Sequence, residues 1–218
     1  MDRSSIYNII HLGLMFVLIL MSYIVAQIFQ TSSDHGKHGS LAVGIIYLVL
    51  CLSNLTVSSY LTRLIGAKWT LFLSSLTYVL FIGVSIKYNI WMLYISAFLI
   101  GFGAALLWTA QGVYLSSSII NYEQSNNLVP SSSQGFINGI FFGILQSHQL
   151  TGNFLVSFLY RFNYPQWIIF TIMTCIAGLG VFGLVFLRPV KIPKDASKIF
   201  IQYFLCLIIF NRTTFDFR

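Results

Sequence analysis

Charged residues are so sparse in this chain that they divide it unaided. Its 12 Lys or Arg and 5 Asp or Glu leave uncharged stretches at 4–33, 38–62, 69–86, 88–122, 124–160 and 162–187. A membrane-spanning helix needs about 20 mostly apolar residues, so each stretch accommodates one span and none holds two. Six transmembrane helices are predicted, at roughly 6–29, 41–62, 69–86, 91–115, 135–160 and 166–187. Runs such as LGLMFVLILMSYIVAQIF show no two-residue alternation, which argues against barrel strands. The charged outer faces that helices of a soluble bundle need are also missing. The expected fold is an all-α, polytopic membrane protein whose residues 1–190 form a six-helix bundle in the lipid bilayer. Residues 191–218 read as a basic tail with a short apolar segment at 199–210, too short to span.

Composition agrees, at 57% hydrophobic and 8% charged residues. The first apolar run exceeds the roughly 7–15 residues of a signal-peptide core and has only a weak charged flank, so it reads as a retained helix. Cytoplasmic loops carry the excess of Lys and Arg. With the N-terminus inside, Arg3, Arg63, Lys68, Arg188, Lys191, Lys194 and Lys198 fall on the inner side, against Lys37, Lys87 and Arg161 outside. An integral membrane protein with a cytoplasmic N-terminus is expected, in plasma membrane or endomembrane. That topology accounts for the formal net charge of +7 without a nucleic-acid partner. No Gly-rich phosphate loop is present, and the aromatics lie within spans rather than among basic residues.

Other chemistry is quiet. Cys51, Cys175 and Cys206 lie far apart in apolar segments, with neither metal-ligand spacing nor an evident disulfide pair. His35 and His38 flank a Gly-containing outer loop beside Asp34, a set more often solvated than metal-bound. The sequon at Asn54 and Thr56 lies mid-span, where no glycosyl transferase reaches; that at Asn211 and Thr213 falls on the cytoplasmic side. No nucleophile–base or metal constellation occurs in the spans. Neither an enzyme nor a cofactor is expected.

The informative residues are amides and imidazoles, which are costly in hydrocarbon and usually face a bundle interior or a watery cavity. The first span carries Asn8, His11 and Gln27, the second Asn54, and the fourth Gln111. The fifth carries Asn138, Gln146, His148, Gln149 and Asn153, while the third and sixth have no interior Asn, Gln or His. The order polar, polar, greasy thus occurs twice, as if spans one, two, four and five lined something. At about 100° per residue, Asn138, Gln146, Gln149 and Asn153 fall within an arc of about 80°, bordered by a ridge of Gly135, Gly139 and Gly143. Small residues at that spacing let helices approach closely. The amides either line a cavity or bond neighbouring helices. In the fourth span Gly101, Ala105, Trp108 and Gly112 share a face, with Gln111 on its shoulder. Gln111 therefore points into the bundle, to bond a neighbour or to line a pocket.

Four segments, YNIIHLGLMFVLI (7–19), LLWTAQGVYLS (106–116), GFINGIFFGILQSHQLTGN (135–153) and FLRPV (186–190), together resemble the UNC-93-like branch of the major facilitator superfamily. The string Trp108, Thr109, Ala110, Gln111, Gly112 is the most specific part. The resemblance covers roughly residues 5 to 192 and implies the N-terminal six-helix half of a twelve-helix fold. In that fold spans one, two, four and five of each half border a central cavity, the partition reached from the polar residues.

Two departures qualify what the resemblance implies. In the loop LTRLIGAKW (61–69), Thr62 stands where the superfamily usually has an acid, so a charge relay coupled to alternating access is doubtful. A full member would also continue into a linker and six more helices. The ending here reads as atypical or truncated, leaving a site to be completed by the missing C-terminal half or by a homodimer. The family resemblance implies a small-solute carrier, with Asn8, His11, Gln111, Asn138, Gln146, Gln149 and Asn153 lining its path. The alternative it implies is a non-transporting regulatory or trafficking partner of an ion channel or receptor. No Asp, Glu, Lys or Arg lies inside the spans, which argues against ion coupling through this half.

Overall fold

The computed structural model describes residues 3–32, 36–162 and 164–190. The expected tail with its apolar segment at 199–210, and the loop residues Asp34 and His35, lie outside the described residues. Among those described there are seven helices and no strands: α1 (Arg3–Ser32), α2 (Gly36–Thr56), α3 (Ser58–Ile65), α4 (Ala67–Val84), α5 (Ile90–Ser125), α6 (Gln134–Arg161) and α7 (Gln166–Val185). Five of them, α1, α2, α4, α5 and α7, are long and apolar enough to cross a membrane. The expectation named six spans. At 28 residues α6 has the length, but its five Asn, Gln and His residues from 138 to 153 dilute its apolar character.

The second predicted span, 41–62, departs from a single helix. It bends at Val57, where φ is −121° and ψ −28°, and the chain resumes as α3. The backbone ladder survives the bend: the Val57 N–H donates to the Ser53 carbonyl and the Leu61 N–H to the Val57 carbonyl, both at 3.0 Å. Two hydroxyls flank the bend. Thr56 Oγ1 donates to the Leu52 carbonyl at 2.8 Å and Ser58 Oγ to that of Asn54 at 3.3 Å, a back-bonding pattern that bends helices. The fourth span departs too, running to Ser125 rather than 115. Its 36 residues are about 54 Å long and outreach a hydrocarbon core of about 30 Å.

α1 and α5 form the centre. α1 packs chiefly between α6 and α7, α5 between α2 and α4, and α4 also meets α7. Phe16, Leu12, Ile19, Leu107, Tyr114 and Phe141 are fully buried in the larger of two core clusters. Glycines set the close approaches, as expected where packing rather than hydrophobic collapse joins helices. A Cβ on Gly101 would lie 2.7 Å from the Ile46 carbonyl oxygen of α2. One on Gly180 would meet Ile19 at 2.9 Å, and one on Gly13 would meet Ile144 at 3.1 Å. Gly103 abuts Thr77 of α4 in the same way.

A single residue, Gly66, joins α3 to α4 at φ +87°. Its N–H donates to the Thr62 carbonyl and its own carbonyl accepts from the Thr70 N–H, both at 3.0 Å. A Cβ there meets no atom within 4 Å, so the conformation alone requires glycine. Gly66→Ala is expected to cost about 1–3 kcal/mol, read as a lower unfolding midpoint in detergent without loss of helical signal.

Candidate functional site

The geometry of α6 begins with its entry. Ser133 precedes the helix without making a side-chain cap. Glu123 on α5 takes over that role: Oε1 accepts the Ser133 N–H at 2.8 Å and Oε2 the Ser131 N–H at 2.9 Å. Glu123 is buried and is the only acidic residue among those described. A carboxylate at a helix N-terminus is electrostatically favourable, and two charge-assisted bonds satisfy both of its oxygens. Non-glycine residues Asn127 and Ser131 take φ of 53° and 69° within the loop so held. The clamp fixes the rotation of α6 where it leaves α5, a helix it otherwise barely touches.

From that entry the sequence sorts α6 into two faces. Ile137, Phe141, Leu145, His148, Gly152, Val156 and Leu159 recur at three- and four-residue intervals and are buried, chiefly against α1. His148 Nδ1 is bonded to the Leu145 carbonyl on this inner face. On the outer side Gln146, Gln149 and Asn153 are exposed, and Asn138 is half-buried. None of these four amides makes a side-chain hydrogen bond among the described residues. Gly135, Gly139 and Gly143 have no atom within 4 Å of a Cβ position. This is a correction for the glycine ridge: it does not pack helices within the described bundle. It borders the amides on an open face, while Gly101, Gly103, Gly180 and Gly13 serve the packing contacts.

An aromatic layer lies beneath. Phe16 of α1 is edge-on to Trp108 of α5, with ring centroids 6.2 Å apart, and to Phe141 of α6 at 5.9 Å. Trp108 remains 37% exposed. Its neighbours in the motif are differently used. The Thr109 hydroxyl donates to Asn54 Oδ1 at 3.3 Å, and the Ser58 hydroxyl, shared with the Asn54 carbonyl, lies 3.3 Å from the same oxygen, so Asn54 joins α2, α3 and α5. Ala105 and Ala110 are buried and Gly112 is half-buried. Gln111 is only 5% exposed and makes no hydrogen bond among the described residues. Burial agrees with a side chain turned inward, but no neighbouring helix supplies its partner.

The two candidates in α1 separate. Asn8 is half-buried. His11 Nε2 donates to the Gly183 carbonyl of α7 at 2.9 Å, so this nitrogen ties α1 to α7 instead of facing the α6 amides. At the opposite end of the bundle, Gln30 is bonded to Ser85, and His38 Nδ1 lies 2.8 Å from the Tyr94 hydroxyl. Gln30 borders a pocket of about 50 Å³. Sequence reasoning missed Gln30 and Glu123, and also Tyr114, whose hydroxyl donates to the Arg188 carbonyl at 2.8 Å. One signal was available: Glu123 is the sole charge between Lys87 and Arg161 and stands just ahead of three consecutive serines.

A family model described as "Ion channel regulatory protein UNC-93" matches residues 9–209. The chain belongs to the UNC-93 family. It is 30% identical over 165 residues to protein unc-93 homolog A of Xenopus laevis, covering 74% of this chain and 35% of that protein. It is 28% identical over 206 residues to the UNC93-like protein MFSD11 of the same species, covering 90% and 44%. UNC93-like protein 3 of Arabidopsis thaliana is 31% identical over 144 residues, covering 66% and 31%. The chain therefore spans less than half the length of these curated UNC-93 relatives. The UNC-93 match includes the Trp108–Gly112 motif and the whole of α6.

Proposed function

We propose that this chain contributes one half of a membrane carrier for neutral polar solutes, with the outer face of α6 bordering the solute path. The observation that carries the reading is the open row of Asn138, Gln146, Gln149 and Asn153, four amides with no bonding partner among the described residues. Such groups are costly against lipid, so the reading gives them water, solute or an apposed protein segment. Amides offer both donors and acceptors, and the half-exposed Trp108 adds a flat apolar surface. Hydroxyl-rich or neutral zwitterionic solutes suit that combination better than ions, since no Asp, Glu, Lys or Arg occurs on α6 before Arg161 and His148 lies on its buried face. The N-terminus is placed on the cytoplasmic side, as the distribution of Lys and Arg favours.

A second reading rests on the family description: the same face would meet a helix of an ion channel and regulate it without transport. One substitution separates the two. In the longer protein, Gln149→Leu is expected to lower uptake of labelled neutral sugars, polyols or amino acids roughly five- to tenfold, the weight of one hydrogen bond, at unchanged surface level. Under the regulatory reading, uptake by the parent protein is already absent and the substitution instead abolishes co-purification of a channel. If uptake and complex formation both persist, the amide row serves neither role.

A further inference from the structure

The corner between α3 and α4 combines features that the carrier reading does not use. The 21 residues of α2 span about 31 Å, close to the thickness of the hydrocarbon core, so the bend at Val57 falls near the membrane boundary. Beyond it α3 turns Ser58 and Thr62 inward and leaves Tyr60 67% and Leu64 70% exposed. Arg63 is exposed on the same short helix. After Gly66, Lys68 places its Nζ 5.7 Å from the centre of the Trp69 ring, and Trp69 is 53% exposed. Tyr and Trp favour the membrane–water interface, and a helix apolar outward with a cation at its rim lies naturally in that layer.

The cations have no counter-charge among the described residues. Among the described residues neither Arg63 nor Lys68 has a carboxylate partner, and Glu123, the single carboxylate there, is committed to the Ser131 and Ser133 N–H groups. We infer that the α3–α4 corner is a binding site for the phosphate headgroup of an anionic phospholipid. Arg63 offers a bidentate fork to the phosphate, Lys68 a second charge, and Tyr60, Leu64 and Trp69 the apolar contact for the acyl region. This inference is independent of the carrier reading.

The test uses the chain purified into nanodiscs of phosphatidylcholine alone or of an equal mixture with phosphatidylglycerol. Native mass spectrometry reports lipid retained, and thermal unfolding reports stability. The parent chain is expected to retain phosphatidylglycerol preferentially and to unfold at a higher temperature in the mixed discs. Each cation near an anionic headgroup contributes about a fivefold preference, so Arg63→Ala with Lys68→Ala should lower the selectivity by an order of magnitude or more. Lys37→Ala with Lys87→Ala, which removes two exposed cations near the other ends of α2 and α4, should leave it intact. Unfolding in phosphatidylcholine alone identifies any variant that fails to fold; Arg63→Gln with Lys68→Gln then replaces it. Equal loss in both pairs, or no preference in the parent chain, overturns the inference. So does full stabilisation by inorganic phosphate added to neutral discs, because the ligand would then be a free anion and not a lipid.

Discussion

Gly101→Ala is expected to destabilise the bundle by an amount near the top of the roughly 1–3 kcal/mol range for overpacked sites. The added Cβ would lie 2.7 Å from the Ile46 carbonyl oxygen and 2.9 Å from Val49 Cβ. A flexible side-chain tip could move aside, but a helix backbone cannot do so without separating α2 from α5. Separation would also stretch the Thr109–Asn54 bond, already 3.3 Å long. Gly139→Ala is the matched comparison. Its Cβ meets nothing within 4 Å, and alanine favours the helix by roughly 0.5–1 kcal/mol, so stability should hold or rise. Thermal unfolding of both variants in one detergent checks the contrast; equal effects would contradict the assignment of inward and outward glycines.

The second large effect is expected at Glu123. Removing its side chain by Glu123→Ala deletes two charge-assisted hydrogen bonds, each contributing roughly 1.5–3 kcal/mol. The loss should be about 3 kcal/mol or more, since water can enter the loop and replace only part of what is lost. Glu123→Gln keeps one acceptor oxygen, so it should lie between alanine and the parent chain. Hydrogen exchange locates the effect: the Ser131 and Ser133 amides should lose protection first, ahead of the α1–α7 contact. Unchanged protection at those two amides would mean that the loop is held by something other than this carboxylate.

The contrast between these sites marks what a sequence can reveal here. Helices were legible because the bilayer demands about 20 apolar residues per span and charges bracket each run. The bend at Val57 was not, since Thr56 and Ser58 barely interrupt an apolar run yet compete for its carbonyls. α5 outran its prediction because Ser116–Ser118 and Asn121 end the apolar character without ending the helix; Pro130 is the first strong breaker. The amide row on α6 emerged from the helical period alone. The direction of its glycine ridge did not, because a residue without a side chain suits a tight interface and an open face equally. Glu123 escaped notice because its partners are backbone N–H groups, and its isolation as a lone charge ahead of three serines was the one signal it left. The bond from His11 to α7 was not legible either, because an imidazole within a span can satisfy one nitrogen on any neighbouring carbonyl.

Solvent access to α6 is the most direct measure of the central claim. In a variant lacking its native cysteines, including the exposed Cys51 and Cys175, single cysteines would be placed along 145–153. They would then be treated in membranes with a water-soluble maleimide. Cysteines replacing Gln146, Gln149 and Asn153 should label, while those replacing Leu145, His148 and Gly152 should stay protected. Labelling that ignores this helical period, or reaction of the outer face only with lipid-soluble reagents, would contradict an α6 face that borders an aqueous path.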